Sequence, residues 1–168
     1  MKSMIRKKIL NLREWQSKAA LYCAANESCR QSIRRKMDAW GTPRDMMDDV
    51  IEWLCSENYI NEERFAHAYV ESKIRYQHWG RQKIKMQLQS KAIDPEVIQR
   101  AMSQIDEELY DAMLLRVARE KLRIMALPLD EVSIKLNVFL QSRGFESHKV
   151  AEALRQLKAE NLDNVSIE

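Results

Sequence analysis

Arg30-Gln31-Ser32-Ile33 returns as Arg81-Gln82-Lys83-Ile84, an offset of 51 residues. The same offset carries Met37 to Leu88, Gly41 to Ala92 and Met47 to Ile98. A further offset of 52 carries Ile84 to Leu136, Leu88 to Leu140, Ala92 to Gly144 and Ile98 to Val150. Apolar positions fall on apolar positions, and a small residue recurs at each stop. A chain that repeats itself in this way is built from copies of one supersecondary unit, and such short units bury their apolar faces by stacking on neighbours.

The unit is helical. With three Gly, three Pro and one Thr (Thr42), strong helix formers fill most other places, whereas a sheet would want far more β-branched residues and tight turns. Each unit reads as three helices. In the first, Ala20, Leu21 and Ala24 begin an apolar face, Ser28 and Gln31 form a capping box, and Gly41 stops the middle helix. Thr42-Pro43 opens the third, whose stripe is Met46, Met47, Val50, Ile51 and Leu54. In the second unit Asn61 caps a helix burying Phe65, Ala66, Tyr69, Val70 and Ile74; Ile84 and Leu88 follow, and Asp94-Pro95 opens the last helix. In the third, Tyr110 to Leu122 precede a break at Pro128, and Arg143-Gly144-Phe145 ends the middle helix. The expected fold is an all-α, elongated array of three tandem three-helix repeats. Its boundaries are a basic N-terminal extension over 1–17, helical through Ile5, Ile9 and Leu12; repeats over 18–61, 62–105 and 106–160; and a tail over 161–168.

Charge alternates in blocks. Residues 1–44 carry a net +8, residues 45–71 a net −7, residues 72–100 a net +5 and the remainder a net −3, so the whole chain is only +3. The basic blocks put Arg30, Arg34, Arg35 and Lys36 on one middle helix. They put Lys73, Arg75, Arg81, Lys83, Lys85 and Lys91 on and beside the next, with Tyr76 and Trp79 between. These ten cations are the candidate binding residues, for phosphate or for an acidic protein surface. A solvated face balanced by its acidic neighbour is the plainer alternative.

No phosphate-cradling glycine loop, nucleophile elbow or zinc-protease motif occurs, and the acidic pairs sit near helix starts, where they favour the dipole. The expectation is a non-enzyme with no cofactor. Cys23, Cys29 and Cys55 form no C-x-x-C pair and no metal-ligand spacing with His67, His78 and His148, so a reduced, cytoplasmic protein is expected. No run of about twenty apolar residues is present, and no membrane partner is expected.

Asn58-Tyr59-Ile60-Asn61-Glu62-Glu63-Arg64-Phe65-Ala66, continuing to Tyr69-Val70, resembles the signature of the RecX family, regulators of the recombinase RecA. Trp79-Gly80-Arg81-Gln82-Lys83-Ile84 resembles the family's next landmark, a Gly followed by a basic helix, and Ser28 to Met37 its first-unit pattern. The resemblance runs from Ala20 to Leu157. Asn58 and Ala92 stand where the family usually has Gly, and the third unit matches mainly in its apolar skeleton and Arg143-Gly144-Phe145. The resemblance implies a cytoplasmic modulator that occupies the RecA filament on single-stranded DNA and inhibits ATP hydrolysis, strand exchange and co-protease activity. A monomer is expected, and the modest net charge of +3 favours a protein surface with weak direct DNA contact secondary to it. The competing readings are a direct DNA binder of helix-turn-helix type and a purely structural helical adaptor.

Overall fold

The computed structural model describes residues 10–165. Among these are nine α-helices and no strand: α1 Leu12–Ala25, α2 Arg30–Trp40, α3 Arg44–Ser56, α4 Glu62–Arg75, α5 Arg81–Ser90, α6 Pro95–Ser103, α7 Glu107–Met125, α8 Leu129–Ser142 and α9 Ser147–Val165. The all-α class and the three-helix repeat are as the sequence dictates. Ile33, Ile84 and Leu136, the three register-equivalent positions, are each fully buried. So are Leu88 and Leu140, and their equivalent Met37.

The chain divides into two units, one ending at Phe65 and one beginning at Ala66. The first unit is repeat 1. Its core gathers Trp15, Ala19 and Cys23 from α1, Ile33 and Met37 from α2, and Met47, Val50, Ile51 and Leu54 from α3. The second unit holds repeats 2 and 3 together, and its largest cluster joins Tyr110, Leu114, Leu136, Leu140, Phe145, Val150 and Leu157, with Ile74 and Ile105 packed against it.

Several local expectations need correcting. α1 starts at Leu12, inside the expected extension, because Asn11 forms a reciprocal capping box with Glu14. Its buried face is therefore Trp15, Ala19, Ala20 and Cys23, while Leu21 is 75% exposed and Ala24 lies outside. Ile5 and Ile9 lie outside the described residues. Ser28 does not cap α2: its hydroxyl donates to the Asn26 carbonyl, and Cys29 holds the N-cap position with no side-chain capping bond. Pro43 sits at the N-cap of α3, one place before the first turn. α9 continues through the expected tail boundary to Val165.

The expected stops are present, and all three share one backbone conformation. Gly41, Ala92 and Gly144 have φ of 77°, 58° and 89°. Asn58 is also left-handed at φ 58°, a conformation Asn accepts better than most residues.

Candidate binding surface

The RecX-like signature is chiefly a structural clamp. After the left-handed Asn58, the amides of Tyr59 and Ile60 both return to the Leu54 carbonyl, which seats Ile60 in the core. Asn61 Oδ1 then accepts from the Arg64 amide and starts α4. The Arg64 Nε lies 2.9 Å from both carboxylate oxygens of Glu27, and its Nη2 donates to the carbonyls of Asn58 and Tyr59. One guanidinium thus holds the α1–α2 connection to the α3–α4 turn.

The second landmark explains itself by close approach. Gly80 donates to the Arg143 carbonyl at 2.8 Å and Gln82 donates to the Gly144 carbonyl at 3.0 Å. A Cβ on Gly80 would fall 2.1 Å from the Gly144 carbonyl carbon, so only glycine fits. The amide of Arg81 donates to the Tyr110 hydroxyl, which donates in turn to Glu146 at 2.6 Å. Burial, then the Glu146 carboxylate, push the Tyr110 phenol far up, so it stays protonated as this donor. The Arg81 guanidinium lies over the Tyr110 ring and pairs with Glu107 at 2.6 Å and Glu146 at 3.3 Å. Lys149 joins the same group through Glu107 and Asp111.

Arg81, a candidate contact residue by sequence, is therefore an internal strut with a side chain only 18% exposed. Its partners are 26 and 65 residues away, beyond any local pattern. The other candidates distribute as follows. Arg30 and Arg35 are exposed on α2, and Arg34 pairs with Asp48 of α3. Lys36 lies 5.3 Å from the Tyr22 ring and 5.9 Å from Trp40. Arg75 pairs with Glu71 one turn back. Lys73, Lys83 and Lys91 converge on two rings: Lys73 lies over Tyr69 and Trp79, Lys83 over Trp79 at 4.6 Å, and Lys91 over Tyr69. Lys85 is exposed on α5. Tyr76 is exposed.

Sequence reasoning missed that every repeat carries such a cation–aromatic group. In repeat 1, Lys18 lies 4.6 Å from the Trp40 ring, against which Tyr22 packs edge-on. In repeat 3, Lys121 and Arg143 both lie over Phe139. The signal was an aromatic or cation at the end of each middle helix (Trp40, Lys91, Arg143), visible only once the 51- and 52-residue offsets are applied there.

Cys23 and Cys55 have thiols pushed up by burial, which disfavours the nucleophilic thiolate. Among the described residues no cluster of three His, Cys, Asp or Glu is placed to hold a metal. None of their helices is long and apolar enough to cross a membrane.

A family model, RecX second three-helix domain, matches residues 61–102, the span from the Asn61 cap through α6. The regulatory protein RecX of Prosthecochloris aestuarii is 26% identical over 141 residues, covering 84% of this chain and 91% of that relative. The chain resembles the RecX family over most of its length. The RecX of Lactococcus lactis subsp. lactis is 33% identical over 119 residues, 69% of this chain and 44% of the relative. That of Clostridium botulinum is 26% identical over 134 residues, 78% and 62%. The chain thus spans less than two thirds of those two longer RecX proteins. The crystal structure of RecX from Lactobacillus salivarius superposes with a TM-score of 0.74 at 19% identity, over 88% of this chain and 97% of that one. The RecX fold is common to both.

Proposed function

We propose that this chain is a non-enzymatic, monomeric, cytoplasmic regulator that binds RecA and its filament on single-stranded DNA. It inhibits ATP hydrolysis, strand exchange and co-protease activity by occupancy. The observation that carries the reading is the match of α4 to α6 to the RecX three-helix domain, since that segment also bears the surface cations Lys73, Lys83, Lys85 and Lys91. A chain made of similar repeats touches a polymeric partner at several points and gains affinity by avidity, with no catalytic centre needed.

The helix-turn-helix alternative is weaker for a geometric reason. A recognition helix presents its N-terminal residues to base edges. Here the start of α5 is covered by the Arg143 and Gly144 carbonyls and by Tyr110. The Trp79 and Tyr69 rings are already attended by lysine ammonium groups, so a base stacks there only by displacing them.

The test is a RecA ATPase assay on single-stranded DNA. The chain lowers turnover at substoichiometric ratios and hydrolyses no nucleotide itself. Unchanged turnover at excess protein overturns the reading. Tight, salt-sensitive binding to naked DNA without RecA, at 0.15 M salt, supports the rival instead.

A further inference from the structure

The cleft between the second and third helices occurs in both repeat 1 and repeat 2, and the two copies differ in charge. In repeat 1 it is lined by Arg34, Arg35, Asp38, Arg44, Met47 and Asp48. The 51-residue offset carries Arg34, Asp38, Met47 and Asp48 to Lys85, Gln89, Ile98 and Gln99. All four line the cleft of repeat 2, about 590 Å³, along with Pro95 and Met102.

In the first copy the Asp48 carboxylate pairs with Arg34, and both line the cleft. The second keeps the cation but has lost both acids. No carboxylate lines it, and Lys85 has no ion pair among the described residues. Among the described residues the other cation at its edge, Arg81, is turned to Glu107 and Glu146. Its floor is apolar, with Ile98 buried and Met102 half-buried. Its walls carry the amides of Gln89 and Gln99, each able to donate and accept like a peptide group.

We propose that the repeat 2 cleft docks a short acidic segment of a protein partner. The segment's carboxylate takes the place on Lys85 that Asp48 takes on Arg34, its apolar neighbour rests on Ile98 and Met102, and the glutamine amides meet its backbone. A nucleic-acid strand uses the cation but not the floor. The inference rests on the reading that the chain works by binding RecA.

The experiment installs the missing acid. Full-length Gln99→Asp, Gln99→Asn, Lys85→Glu and wild type are titrated onto RecA filaments on single-stranded DNA and onto naked single-stranded DNA, with helix content checked by circular dichroism. Gln99→Asp and Lys85→Glu weaken filament binding on the order of tenfold, as opposed charge at a docking site does, while Gln99→Asn stays within about twofold and naked-DNA binding is unmoved. If wild type binds filaments and both charge variants match it, the cleft is not the site and the proposed function stands. Equal loss on naked DNA overturns the assignment in favour of a phosphate contact. If wild type binds no filament at all, the parent reading falls and the cleft proposal with it.

Discussion

Gly41, Ala92 and Gly144 make the same left-handed turn in different surroundings, and the surroundings set what each position tolerates. Ala92 carries a Cβ at φ 58°, a conformation that costs an L-residue roughly 1–2 kcal/mol, part of which glycine's looser unfolded chain returns. Ala92→Gly should therefore stabilise the chain by about 0.5 kcal/mol, read as a rise in urea midpoint at constant slope. Gly41→Ala meets nothing within 4 Å and bears only the strain, about 1 kcal/mol. Gly144→Ala adds a Cβ 2.3 Å from the Lys83 Cβ and 2.5 Å from its amide nitrogen, so strain and overpacking combine to roughly 3 kcal/mol or more. Equal losses at Gly41 and Gly144 would contradict this account. At this scale the sequence was readable where a residue acts alone: a small stop after each middle helix, an Asn tolerant of a left-handed turn. It was opaque where a residue acts on a distant partner. Arg81 looks like its basic neighbours until Glu107, Tyr110 and Glu146 are brought beside it.

Among elements, the α4–α5 turn has a chemistry of its own. His78 is left-handed at φ 50°, its carbonyl and that of Gln77 accept from Arg143, and Arg116 lies 2.7 Å from its Nε2. That contact has the guanidinium donating to an unprotonated ring nitrogen. Partial burial, then the nearby Arg116 and Arg143 charges, hold His78 below the usual imidazole range, against a smaller opposing pull from Glu120. The unfolded chain binds this proton more readily than the folded one, so the stabilisation is complete above pH 6.5 and is lost as pH falls through the lower folded value. Wild type should lose stability between pH 7 and pH 5 more steeply than His78→Asn, which keeps a residue suited to positive φ. Parallel pH profiles in urea titrations would refute the assignment. Helix caps show why element boundaries were only partly legible. Asp94 and Asn61 cap as their sequence position implies, whereas Ser28 has the right neighbours but gives its hydroxyl to the Asn26 carbonyl instead, leaving Cys29 to begin α2.

For the whole molecule, three repeats in sequence become two units in space. The apolar skeleton was legible because helical periodicity is local, and Ile33, Ile84 and Leu136 are all buried as that skeleton requires. The merging of repeats 2 and 3 was not, because it depends on two backbone hydrogen bonds and a tyrosine hydroxyl that no pattern of side chains announces. Differential scanning calorimetry of core truncations distinguishes two units from three. Leu88→Ala and Leu136→Ala, each costing about 2–5 kcal/mol as buried large-to-small changes, should lower one shared transition, and Ile33→Ala another. Separate transitions for Leu88→Ala and Leu136→Ala would mean that repeats 2 and 3 unfold independently. Part of the joint between those repeats is main chain: the carbonyls that close α8 accept from the amides that open α5. Those bonds fix the spacing of both turns, as Gly80, Tyr110 and Glu146 fix the side chains around them. An insertion in the turn before Gly80 shifts the amides of Gly80 and Gln82 off their acceptors, and one just after Gly144 shifts Glu146 away from the Tyr110 hydroxyl. Tolerance to length change should therefore be low in these two short turns, although loops ordinarily permit it most.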